Sequence, residues 1–141
     1  MKTRLLLIAL LIIGIGIAQK KQAYCWYIML NNKTIAKNTF QKTTNTVLSL
    51  TKQGKIKLVY NCNNHADSFF RSFIVMDVNR KELLRVNTSG NNNYTFITLS
   101  KLKEITGSQP FSIYTVSTPK DSVMAMTMRI APVLLTNVTW Q

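Results

Sequence analysis

The chain has 141 residues, 18 of them basic and 5 acidic, which gives a formal charge of +13 and a pI near 10.1. It is one domain long and 46% hydrophobic, which excludes a disordered polyelectrolyte. Two cysteines and one histidine are too few for a zinc finger, an iron–sulfur ferredoxin or a miniprotein held by many disulfides.

Residues 1–18 read as an export leader. Lys2 and Arg4 precede an unbroken apolar run from Leu5 to Ile13, and Gly16 and Ala18 supply small residues at the −3 and −1 positions of a cleavage site. The run is short for a membrane span, so cleavage between Ala18 and Gln19 is expected, with an uncleaved N-terminal anchor as the alternative. Residues 19–141 then form a single domain, and losing Lys2 and Arg4 takes the charge to +11. The product is exported, periplasmic or secreted, with no integral membrane segment after cleavage.

The mature chain reads as strands. Ala23 to Leu30 is aromatic and branched and ends at Asn31-Asn32. Val47 to Leu50 leads to a hairpin turn over Thr51-Lys52-Gln53-Gly54, where Gly54 supplies a positive φ. Lys55 to Tyr60 alternates, with Ile56, Leu58 and Tyr60 on one side and Lys55, Lys57 and Val59 on the other, the period of a half-buried strand. A polar loop over 61–68 precedes Phe69 to Met76, which is apolar on both sides apart from Arg71 and Ser72 and is therefore expected to be central. Asp77 to Arg80 turns the chain, Lys81 to Val86 returns, and Tyr94 to Leu99 follows a loop. Ser100 to Thr106 is the one expected helix, capped by Ser100 and ended by Gly107. Phe111 to Ser117, Val123 to Ile130 and Val133 to Trp140 complete the strands, with Pro132 as a break. The expected fold is all-β: an antiparallel β-sandwich, jelly-roll or immunoglobulin-like, with at most one short helix. A small β-barrel is the alternative.

Several residues invite a chemical reading. Cys25 and Cys62 stand 37 positions apart and form a possible disulfide in an oxidising compartment. Arg71, Arg85 and Arg129 each interrupt an apolar segment, and a guanidinium fork matches carboxylate, phosphate or sulfate, so a shared anion site is a candidate. Lys55 and Lys57, with Lys52, Lys101 and Lys103, offer a basic patch, although a lysine-guarded sheet edge explains them better. Met124, Met126 and Met128 at period two would line one strand face, as core packing or as weak soft-metal candidates for copper. His65 with Asp67 suits a solvated loop better than a metal or acid–base pair, and Asp77, Asn79 and Glu82 lack calcium-loop spacing. Sequons stand at Asn32, Asn87, Asn93 and Asn137.

These features point to a non-catalytic exported binding protein that uses a basic face and loops to meet an anionic surface, a glycan or a protein partner. No cofactor is implied, and nucleic acid is disfavoured because no recognition motif is present. The alternatives are an assembly subunit pairing through a strand edge, a periplasmic copper binder and a small hydrolase.

Overall fold

A computed structural model describes residues 25–38, 44–49, 53–62, 68–88 and 92–141. The leader, the His65–Asp67 pair, Lys52 and the loop around Gly90 lie outside the described residues. Among the described residues, nine strands and two helices follow one another along the chain. They are β1 (Trp26–Leu30), β2 (Lys33–Asn38), β3 (Thr44–Leu48), β4 (Lys55–Tyr60), β5 (Phe69–Asp77), β6 (Glu82–Asn87), β7 (Tyr94–Thr98), α1 (Leu99–Thr106), β8 (Phe111–Pro119), α2 (Ser122–Thr127) and β9 (Val133–Trp140).

The strands form two sheets, ordered β2-β1-β4-β7 and β3-β9-β8-β5-β6. The chain crosses between them repeatedly. The order β9-β8-β5-β6 opposite β1-β4-β7 is the general order of immunoglobulin-type sandwiches and not that of a jelly roll. Each sheet has two end strands, so the barrel alternative is set aside. Between the sheets lie Trp26, Ile28, Ile56 and Leu58 from one and Phe73, Val75, Phe111 and Ile113 from the other, all at most 2% exposed. Burying side chains of this size contributes roughly 1.5–3 kcal/mol each. Phe73, Ile74 and Val75 are all fully buried, so the middle of β5 is covered on both faces, as its apolar stretch Phe73–Met76 requires.

The first return strand departs from expectation. Asn31 and Asn32 do more than end β1: their φ values of 47° and 69° make a two-residue turn of the primed type, and β2 pairs back onto β1. The polar sequence of β2, KTIAKN, hides it, because as an end strand it buries only Ala36. One pair is parallel: β3 runs alongside β9, and Thr46 and Thr136 share a buried hydroxyl–hydroxyl bond of 2.8 Å across it.

Two helices form where at most one was expected. The cap of α1 is Thr98, not Ser100: its Oγ1 accepts from the Lys101 N–H at 3.3 Å. Gly107 ends α1 in the left-handed region as expected. Leu99 and Leu102 plug one end of the sandwich, and Trp140 Nε1 donates to Thr106 Oγ1 at 3.1 Å. The second helix overturns the strand expected over Val123–Ile130. Asp121 accepts from the Met124 N–H at 2.8 Å and starts α2. Met124, Met126 and Met128 therefore share no strand face and are not core; all three are exposed. A period-two pattern of small and unbranched residues (Met124, Ala125, Met126) is also a good helix former, and the aspartate cap decides between the two.

Candidate binding face

The disulfide comes first because it orders one end of the sheet. β1 and β4 are antiparallel neighbours, with Trp26 opposite Tyr60. Cys25 and Cys62 therefore fall together at the end of that ladder and are bonded, with Cα atoms 4.5 Å apart. Asn61 N–H donates to Cys25 O beside it.

The three arginines are not brought together. Residues opposite one another on paired strands point to the same side of a sheet. Arg71 lies opposite Ser117 and shares the inward side with Phe73 and Val75. Its guanidinium stacks on the Tyr60 ring 3.9 Å from the centroid and donates to Thr115 Oγ1 at 3.2 Å and Ser117 Oγ at 2.6 Å. Burial lowers its pKa below the usual arginine value, and nearby Tyr60 opposes that shift. Arg85 lies opposite Ile74, on the other side of the sheet. It forms a two-pronged pair with Glu82, Nε to Oε1 at 3.0 Å and Nη2 to Oε2 at 2.6 Å. This bond holds the Glu82 carboxyl below the ordinary carboxylate range and raises Arg85. Arg129 lies past α2 on an exposed segment. No single face holds all three.

Lys55 and Lys57 are brought into a group, with partners that β4 alone does not announce. Ile56 and Leu58 face the core, so Lys55, Lys57 and Val59 face outward. On β7, Phe96 is opposite Lys57 and Tyr94 opposite Val59. On β1, Tyr27 is opposite Val59 and Met29 opposite Lys57; on β2, Lys37 is opposite Tyr27. The outer face of this sheet is thus a lattice of lysines and aromatic rings. Lys55 Nζ lies 4.6 Å from the Phe96 ring centre, and Lys57 Nζ lies 4.4 Å from that of Tyr94 and 5.7 Å from that of Phe96. Tyr94 and Phe96 meet edge to face at 5.8 Å. Phe96 is 46% and Tyr94 36% exposed, so no described element covers them.

Such a lattice has a definite electrostatic character. Each ammonium is held above the negative face of a ring, an attraction of about 0.5–1 kcal/mol at an exposed site. At about one to two times the thermal energy, this attraction biases the lysines toward the rings without fixing them there. At the Lys55 end a cleft of about 390 Å³ opens, lined by Gln53, Gly54, Thr98, Ser100 and Lys103. Lys101 is paired with Glu104 at 3.1 Å and stands apart from this role.

The remaining candidates resolve locally. Asp77 Oδ1 accepts from the N–H groups of Asn79 and Lys81, both at 2.8 Å, so its carboxylate builds the β5–β6 turn. Among the described residues no group of three or more His, Cys, Asp or Glu side chains is placed to hold a metal ion. No described helix is long and apolar enough to cross a membrane.

Tyr27, Lys37 and Phe96 were not singled out from sequence. Period-two reading of Tyr94-Thr95-Phe96-Ile97 would have set both rings on the face opposite Ile97. That Lys57 and Phe96 are neighbours depends on the β4–β7 register. No family model, no curated protein and no solved structure matches this chain.

Proposed function

We propose that this protein is a non-catalytic binding module for acidic polysaccharide, exported from the cell, and that the outer face of the β2-β1-β4-β7 sheet is its binding surface. One observation carries the reading: the ammonium groups of Lys55 and Lys57 are held over the exposed rings of Phe96 and Tyr94. A polyuronate or sulfated glycan has the matching chemistry. Its anionic groups pair with the lysines while its apolar sugar faces lie on rings that already favour flat partners. The net charge, +13 for the whole chain and +11 without residues 1–18, adds long-range attraction toward such a polymer. A sheet face suits this task because its side chains project at regular spacing from a rigid backbone, so little ordering is needed on binding.

The test is a titration with a sulfated polysaccharide, a polyuronate, a neutral polysaccharide and a single-stranded oligonucleotide, each at several salt concentrations. Acidic polysaccharide should bind and weaken steeply with salt, and the neutral polymer should not bind. Lys55→Ala/Lys57→Ala should lose about tenfold or more in affinity and flatten the salt dependence. Tyr94→Ala/Phe96→Ala should lose a similar amount and leave the salt slope nearly unchanged. Acidic-polymer binding that survives both double substitutions refutes the assignment of this face. Tighter binding of the oligonucleotide would move the reading to single-stranded nucleic acid, whose bases also stack on exposed rings.

A further inference from the structure

The connection between β8 and β9 is built of apolar residues that the sandwich leaves uncovered. Val123, Met124, Met126 and Met128 are 67%, 43%, 81% and 42% exposed, and no residue of α2 is buried. A short helix on a domain surface ordinarily turns an apolar stripe to the core. This one does not. The exposure continues through Ala131 and Pro132 to Val133, itself 47% exposed. The apolar side chain left in contact with water is on the order of several hundred Å², comparable with the largest patch of an ordinary monomer and typical of a surface that docks.

Charge identifies what it docks to. From Ser122 to Gln141 there is no acidic residue. Arg129 stands exposed within the segment. Lys120, at its start, lies 5.5 Å over the ring of Phe70, which is 48% exposed. Arg80 shares a cleft with Met76, Tyr114 and Pro132 at the segment's far end. Asp121, the acidic residue nearest the tip in sequence, directs its carboxylate at the α2 backbone as a cap. An apolar tip rimmed by cations matches the boundary of an anionic bilayer, where apolar side chains enter the acyl region and basic ones stay among the headgroups. Methionine fits such a boundary because its unbranched thioether adapts to an irregular surface. A second copy of the chain is a poorer occupant. It would oppose two basic rims on chains of +13 each, with no acidic residue in the segment to pair them.

We infer that the α2 segment is a membrane-docking tip that seats the domain on an anionic lipid surface. It lies on the β8–β9 side, on the sheet other than the one carrying the lysine–aromatic face. A seated molecule would keep that face available.

Vesicle co-sedimentation tests the inference, with the same full-length gene product used for every variant. Vesicles of mixed phosphatidylglycerol and phosphatidylcholine should bind the protein, and pure phosphatidylcholine vesicles should bind it at least tenfold less. Met126→Asp should lose tenfold or more on the anionic vesicles. Val47→Asp, which makes the same charge change at a 59% exposed position on β3, should lose less than threefold. In Met126→Trp, the added fluorescence should shift to the blue on anionic vesicles. Three results overturn the inference: no binding to either vesicle, equal losses for the two aspartate variants, or no shift for the tryptophan. A dimer in lipid-free solution that Met126→Asp dissociates would also overturn it, assigning the tip to a second copy.

Discussion

Replacing Arg71 tests how the open end of the sandwich is held. Among the described residues no carboxylate partners its guanidinium; it lies flat on Tyr60 and uses its fork on Thr115 and Ser117. Hydrogen bonds from a charged donor are worth roughly 1.5–3 kcal/mol each, and the stack adds about 1–2 kcal/mol when partly desolvated. Withdrawing the charge from water costs several kcal/mol in the opposite sense, as its lowered pKa reflects. The charge is therefore close to neutral in net effect, and most of what remains is packing of the side-chain stem and fork against the Tyr60 ring. Arg71→Ala should lose about 2 kcal/mol, because it removes that packing in addition to the bonds to Thr115 and Ser117 that both variants lose. Arg71→Met keeps the stem and its contact with the ring and should lose less than about 1 kcal/mol. Urea unfolding followed by the fluorescence of buried Trp26 reads both. With an m-value near 2 kcal/mol/M, the alanine midpoint should fall by about 1 M and the methionine midpoint by less than half that. Equal losses in the two variants would refute the reasoning, since they would mean that the charge and its bonds, not the packing, hold this end.

Other outcomes follow from the same geometry. Cys25→Ser/Cys62→Ser should cost about 4 kcal/mol by loop-closure entropy over 37 positions, lowering Tm by about 10–15 °C; a shift below about 3 °C would refute that account. Gly54→Ala should cost about 2 kcal/mol, because φ is +128° and a Cβ there would strike the Asn31 side chain, which donates to Gln53 O and accepts from Lys55 N–H. Adding Asn31→Gly, which removes that side chain and tolerates the φ of 47° there, should recover at most the steric part of that loss; complete recovery would remove the backbone argument. The Glu82 carboxyl should titrate below its ordinary value of 4.5 and return toward it in Arg85→Ala, as followed by NMR. Its depressed folded pKa means that the pair's stabilisation is present above the unfolded value and is lost as pH falls through the folded one. Both side chains are exposed, so that contribution should stay below about 0.5 kcal/mol; a larger loss on acidification confined to this pair would contradict the surface placement.

Much of the architecture was legible along the chain because two signals are local. Alternation within Lys55–Tyr60 tells which residues face the core, and the apolar residues of Phe69–Met76, interrupted only by Arg71 and Ser72, tell that β5 is covered twice; Ile56, Leu58 and Phe73–Val75 are all buried. The disulfide was legible as a candidate because only two cysteines are present. It became definite only through the β1–β4 register. β2 escaped notice because an end strand buries so little that its sequence resembles a loop. Val123–Met128 forms a helical turn where its alternation suggests a strand, because period two in apolar residues does not distinguish a strand from a single helical turn.

The candidate site divides in the same way. Composition and alternation place basic residues on the outward side of β4 and assign the whole chain a positive field, since charge and side-chain direction follow from the chain alone. Which rings those lysines sit over, that Arg71 turns inward and Arg85 outward, and that the methionines stand clear of the core all depend on pairing between residues far apart in sequence. Register and sheet order set those neighbours, and both are decided by the packing of the whole sandwich.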